Sequence, residues 1–285
     1  MEFRKMDMPQ LLTGERHEFG DAFIASSGRI MIENSWRGKF VRRFTCGHYF
    51  NFIENHVPAG AQGLEFGCGG GNRWLARNYR MTGLEYGLSA TTAASQVYDD
   101  CIHGDVSDTP FSDKSFDFAC SCFVLEHLPP LIAEKALKEM WRILRPGGKF
   151  IALMDLHCDR PFLRKLRERY PAVYQEAMID IPGHRGLISA AQWRTGVMAE
   201  GFEIQVWRQQ SRFPISDLAT YAYLASSLSA PPHLRLLGKR ALWLAQKKHW
   251  GSLFPMSLTV LDDLFGWMFP RSWGYRLLFV LQKPK

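Results

Sequence analysis

Gly63-Leu64-Glu65-Phe66-Gly67-Cys68-Gly69-Gly70-Gly71-Asn72 is the stretch whose reading decides the fold. Its first half is apolar around one acid, and Arg73-Trp74-Leu75-Ala76-Arg77 beyond it has helical composition, so the segment reads as strand, glycine turn, helix. Glycine is required where a backbone takes positive φ or a ligand comes within contact of the main chain. Gly67 and the run Gly69-Gly70-Gly71 therefore make a loop without side-chain bulk. The following helix is expected to point unsatisfied N–H groups at whatever rests on that loop.

Working outward, Met81-Thr82-Gly83-Leu84-Glu85-Tyr86 reads as a second strand, and Glu85 stands twenty positions after Glu65. At that spacing a second parallel strand delivers an acid to a ribose diol, so Glu85 is expected to accept from two hydroxyls. A third strand, Asp100-Cys101-Ile102, leads into His103-Gly104-Asp105-Val106, where Asp105 is placed to take the exocyclic amine of an adenine. The glycines depart from the dinucleotide spacing G-x-G-x-x-G, because Asn72 occupies the sixth position.

The pattern Glu65-x-Gly67-x-Gly69-x-Gly71 resembles instead the class I S-adenosylmethionine-dependent methyltransferases, of the small-molecule, type 11-like kind. Four later motifs resemble that family in order and spacing: Asp105 to Phe111, Phe116-Asp117-Phe118, Val124-Leu125-Glu126-His127-Leu128 and Leu144-Arg145-Pro146-Gly147-Gly148. The resemblance covers about residues 60 to 155. It implies an α/β fold, a Rossmann-like seven-stranded, mostly parallel sheet of order 3-2-1-4-5-7-6 with strand seven antiparallel. It also implies S-adenosyl-L-methionine as cofactor, contacted at Glu65, Gly67, Gly69, Gly71, Glu85, Asp105, Val106 and Cys122, with Ser121 and Cys122 near its methionine portion.

A chain of 285 residues, 46% of them hydrophobic, can bury a sizeable core. The expected division is a helical segment over 1–58, a cofactor-binding core over 59–209, a helical cap over 210–274 and a last core strand over 275–285. Strand six is read at Phe202 to Trp207 and strand seven at Tyr275 to Gln282, a separation far longer than a hairpin. The cap carries Tyr221, Tyr223, Trp243, Trp250, Phe254, Phe265, Trp267, Phe269 and Trp273, read mainly as a small core of its own. Near the start, Trp36, Phe40, Val41 and Phe44 form the stripe of a helix with one buried face. Leu131 to Leu144 reads as a helix ended by Pro146-Gly147-Gly148, with strand five over Lys149 to Met154.

The first seven residues lack the apolar run of a signal peptide, and no stretch is long and apolar enough to span a bilayer, so the expected place is the cytoplasm. Six cysteines without a C-x-x-C pair read as buried thiols, and no residue spacing suggests a metal site. Residues 1–150 hold 17 Lys and Arg against 18 Asp and Glu, whereas residues 151–285 hold 18 against 10. That basic half either attracts an anionic partner or is a solvated surface.

Methyl transfer to a hydroxyl needs a proton acceptor, and His127, Asp155, His157 and His184 are the candidates; His127 and His184 are taken as the catalytic pair of choices. For His127 a structural role stands beside the catalytic one. The expected acceptor is a small or glycan-like molecule, methylated at oxygen. The alternatives are an RNA acceptor met by the basic half, against which no Asn-Pro-Pro-Tyr-like tetrapeptide follows strand four, and a non-catalytic cofactor-binding module. A peripheral membrane contact through the cap's Trp and Lys residues is a further option.

Overall fold

The computed structural model describes residues 36–43, 48–215, 218–246 and 250–285. Residues 1–35, Phe44 and Cys46, Lys247 and Lys248 lie outside them, and so does most of the expected N-terminal segment. Two helices, α1 (Trp36–Arg43) and α2 (His48–His56), lead into β1 (Gln62–Phe66), α3 (Arg73–Asn78), β2 (Arg80–Glu85), α4 (Leu88–Ala94) and β3 (Asp100–His103). Then come β4 (Phe116–Cys122), α5 (Pro130–Ile143), β5 (Leu144–Asp155), α6 (Pro161–Arg169), α7 (Pro171–Tyr174), α8 (Ala190–Ala199) and β6 (Glu203–Gln210). Three helices, α9 (Leu218–Ala222), α10 (Pro232–Gln246) and α11 (Trp250–Phe265), precede β7 (Arg276–Gln282).

All seven strands form one sheet of order β3-β2-β1-β4-β5-β7-β6. The first five run parallel, and β7 is antiparallel to both β5 and β6. Sequence explains the placement. Arg276-Leu277-Leu278-Phe279-Val280-Leu281-Gln282 is apolar on both faces and sits inside the sheet, while the four-residue β3 and the alternating β6 sit at its edges. Helices cover both faces. One apolar cluster gathers Leu64, Phe66, Phe150 and Phe279 with α5 and α8, and the other gathers Tyr49, Ile53, Trp74, Phe118 and Val280. Each of these large side chains contributes on the order of 1.5–3 kcal/mol by leaving water.

Several sequence expectations are corrected. In α1, Trp36 and Phe40 are 73% and 54% exposed against the expected stripe, while Arg42 is buried with its guanidinium over the Trp74 ring at 5.1 Å, a cation and an aromatic ring that an apolar stripe does not report. Leu144 leaves the helix to open β5, and Pro146-Gly147-Gly148 lies within that strand, where the pairing with β4 shifts register. A third apolar cluster joins Leu224 and Ala230 of the β6–β7 connection to Leu163, Leu166, Val173 and Ala177. The connection therefore shares a core with the helices after β5, while Trp243, Phe265 and Trp267 stand exposed. No described helix is long and apolar enough to cross a membrane.

Candidate active site

Parallel strands β1, β2, β3, β4 and β5 end on one edge of the sheet, and the functional residues collect there. At the end of β1 the chain turns at Gly67, with φ of +60°, and its N–H donates to the Leu84 carbonyl at 2.8 Å. A Cβ at Gly67 would lie 2.5 Å from Val124 Cγ2, so only glycine fits there. Gly69 also has positive φ, yet nothing lies within 4 Å of where its Cβ would be. Open space over a bare backbone suits a ligand that rests on the main chain. Gly71 shares the positive φ.

The start of α3 differs from expectation. Asn72 caps it, its Oδ1 accepting from the Trp74 and Leu75 N–H groups at 2.9 and 3.2 Å, so these two donors are spent internally. Asn72 N–H in turn donates to the Tyr98 hydroxyl at 2.8 Å, and Tyr98 donates to Glu65 Oε2. Glu65 is 6% exposed, and burial, opposed by the Tyr98 hydrogen bond and assisted by the Glu85 charge, raises its carboxyl from 4.5 to about 8. It supports the loop from beneath. Because the folded chain holds this proton after the unfolded chain has lost it, stability falls as pH rises between about 4.5 and 8. A Glu65→Gln chain is expected to lack that decline, so its melting temperature relative to the native chain rises from pH 5 to pH 8. Parallel melting curves across that range would contradict the assignment.

Glu85 ends β2 as expected and is bonded to the loop: Oε2 accepts from Gly69 N–H at 2.9 Å and Oε1 from Gly87 N–H at 3.0 Å. Each carboxylate oxygen keeps a second lone pair, so the acid is oriented without being used up. Asp105 follows β3 and folds on itself, Oδ1 accepting from both the backbone and the hydroxyl of Ser107 at 2.8 Å. Val106 beside it packs on the apolar cluster. Half-buried Cys122 closes β4. The next residue, Phe123, holds φ of +57°, a costly conformation for a bulky side chain, and Arg276 lies over its ring at 5.2 Å.

Beyond Phe123 the 3₁₀ turn Leu125–His127 meets a segment nearly sixty positions later. His127 Nδ1 donates to the Gly183 carbonyl at 3.1 Å, and Gly186 N–H donates to the Glu126 carbonyl at 2.8 Å. The imidazoles of His127 and His184 are 5.2 Å apart, centre to centre. His184 is buried, its Nδ1 donating to the Met178 carbonyl at 2.9 Å and its Nε2 lying 4.0 Å from Asp155 Oδ2. Asp155 Oδ1 pairs with Arg276 at 3.3 Å. Glu126 is 1% exposed, and burial together with Asp155 pushes its carboxyl well above the usual range against the opposing Arg276 charge. The fold thus unites both proposed catalytic histidines with Asp155. His157 stays half-buried outside the group, its imidazole pushed down by burial.

Sequence reading missed Tyr98, Glu126, Arg276 and Gly186. An acid inside the apolar run Val124 to Leu128 and a cation opening an apolar strand were signals available for two of them.

Comparison with known proteins agrees with this geometry. Residues 64–152 match the family described as "Methyltransferase domain". A protein of Encephalitozoon cuniculi that carries a methyltransferase name is 35% identical over 128 residues, covering 43% of this chain and 59% of that one. A demethylmenaquinone methyltransferase of Staphylococcus haemolyticus is 29% identical over 175 residues, 57% of this chain and 65% of that one. The chain thus matches about three fifths of the length of these relatives. Among solved structures, the [4+2]-cyclase SpnF aligns with a TM-score of 0.51 and 17% identity, covering 88% of this chain and 83% of that one. The last likeness shows the fold, and a fold of this kind hosts more than one chemistry.

Proposed function

We propose that this chain, whose residues 64–152 match the family described as "Methyltransferase domain", transfers a methyl group from S-adenosyl-L-methionine to an oxygen of a small or glycan-like acceptor. When bound, that cofactor supplies a sulfonium-activated methyl. The open backbone at Gly69, beside the Glu85 carboxylate tied to the same loop, fits a nucleoside laid across the strand ends. Asp105, Val106 and Cys122 border the same edge as further cofactor contacts, while Glu65 acts through Tyr98 and Asn72.

The observation that carries the acceptor reading is the hydrogen-bonded closure of residues 183–186 onto the turn after β4. It brings two imidazoles and two carboxyls together beside the strand ends, which supports taking this group as the acceptor side. Alignment of donor and acceptor is the main task of such a site, and proton removal from the hydroxyl is the second. His127, the less buried of the two histidines, is the proposed proton acceptor; His184 orients the group from below.

The test uses purified chain and S-adenosylmethionine labelled on its methyl group, incubated with cell extract that is then split into lipid, glycan, small-molecule, nucleic-acid and protein fractions. Label is expected in the glycan or small-molecule fraction. Cofactor binding by calorimetry without transfer to any fraction would favour a non-catalytic module, and label in RNA would overturn the acceptor class.

A further inference from the structure

Glu126 carries an unsolved electrostatic problem. Its Oε1 accepts from the Asp155 N–H at a long 3.4 Å, and its buried Oε2 has no hydrogen-bond partner among the described residues. A buried carboxyl oxygen left without a donor costs free energy until a proton or a cation meets it. One ligating atom from each of Glu126, His127 and His184 lies within 4.8 Å of the others. Both imidazoles are tethered in the same way. Each Nδ1 faces a backbone carbonyl, Gly183 for one and Met178 for the other, and a carbonyl can only accept. The ring proton is therefore on Nδ1, and in the neutral ring the lone pair is on Nε2. Metal-binding histidines are commonly oriented by this kind of second hydrogen bond.

The segment is also built to hold the two halves together. A Cβ at Gly186 would come 2.1 Å from the Leu128 carbonyl oxygen, so the loop bearing His184 presses directly on the turn bearing Glu126 and His127. Such close backbone approach fixes ligands drawn from distant parts of the chain. The charges are compatible with a cation. Asp155 is already paired with Arg276, whereas the second oxygen of Glu126 meets no hydrogen-bond donor among the described residues.

We propose that Glu126, His127 and His184 form a binding site for one divalent transition-metal cation of the zinc type, three protein ligands that leave one position open. Two nitrogens and a carboxylate suit zinc-like ions better than magnesium or calcium, which favour all-oxygen shells. With bonds of about 2.1 Å, neighbouring ligand atoms stand roughly 3.5 Å apart, so the three side chains draw in by about an ångström. The chemical consequence rests on the methyltransferase reading: an acceptor hydroxyl on the cation would release its proton to bulk water more readily, and His127, its Nε2 lone pair then held by the cation, would give up the proton-accepting role proposed above. The binding itself does not rest on that reading.

The experiment uses untagged full-length chain, stripped with chelator and back-titrated with Zn²⁺ by calorimetry and with Co²⁺ by visible absorption. One equivalent of each is expected, with the Co²⁺ spectrum showing nitrogen coordination. Glu126→Gln and His184→Ala are each expected to weaken Zn²⁺ binding at least 100-fold while S-adenosylmethionine affinity stays within threefold. Glu126→Gln preserves shape and keeps the test decisive should His184→Ala fail to fold. Retention of less than 0.1 equivalent, or variants that bind as the native chain does, overturns the site. Methyl transfer at an undiminished rate in the stripped chain overturns its chemical role. One equivalent of zinc without transfer of label to any fraction supports the site and refutes the transferase reading alone.

Discussion

Glu85→Ala is expected to weaken S-adenosylmethionine binding by roughly 10²–10⁴-fold, because two charge-assisted hydrogen bonds to ribose hydroxyls are lost at about 1.5–3 kcal/mol each. The carboxylate also holds the loop: without it the Gly69 and Gly87 amides lose their acceptor. Both consequences act on the cofactor, so the effect should appear in the calorimetric dissociation constant, with kcat at saturating cofactor changing much less. Thermal stability should fall moderately, since water can replace the carboxylate at half-buried Glu85 and Gly69, whereas Gly87 is buried. An affinity within threefold of the native value would refute the ribose assignment.

Gly186→Ala should have the opposite profile. The added methyl would meet the Leu128 and Leu125 carbonyl oxygens at 2.1 and 3.0 Å, and backbone atoms cannot swing aside as a side-chain tip can. The loop must retreat, and with it go the Gly186 to Glu126 and His127 to Gly183 hydrogen bonds. Overpacking of this kind costs about 1–3 kcal/mol, which for a chain of this size lowers the melting temperature by several degrees. A misplacement of about 1 Å in the catalytic group can cost about 100-fold in rate. The expected result is methyl transfer reduced at least 100-fold with cofactor affinity unchanged. A variant with native turnover would show that the closure of residues 183–186 has no part in the reaction.

The backbone of the glycine loop and the place of Glu85 were legible in the sequence because their determinants are local. Gly67, Gly69 and Gly71 announce positive φ within one turn, and Glu85 announces itself by ending a strand at a fixed distance from Glu65. Strand order followed from the resemblance those motifs carry. The acceptor side was legible only as a set of candidates. His127 and His184 stand 57 positions apart, and nothing in their spacing says that a glycine lets one loop settle on the other. Tyr98 was invisible for the same reason: its hydroxyl reaches Glu65 and Asn72 across a helix and a strand. In α1 the expected burial of Trp36 and Phe40 failed, since a helix buries residues that find a partner, and here Arg42 found Trp74.

The position of β7 between β5 and β6 has a consequence for biogenesis. Asp155 and Arg276 face each other across β5 and β7 yet are 121 positions apart. On the ribosome, the parallel half of the sheet through β5 can assemble while the long edge of β5 waits for a strand not yet translated. During that interval Phe150 to Met154, apolar and fully paired in the finished molecule, present an open sheet margin, the kind of surface that recruits other nascent chains. Arrival of Arg276–Gln282 closes that margin and brings Arg276 to Asp155 in the same step. A chain that ends before residue 276 would leave the β5 margin without the β7 pairing and lack the Asp155–Arg276 ion pair beside His184.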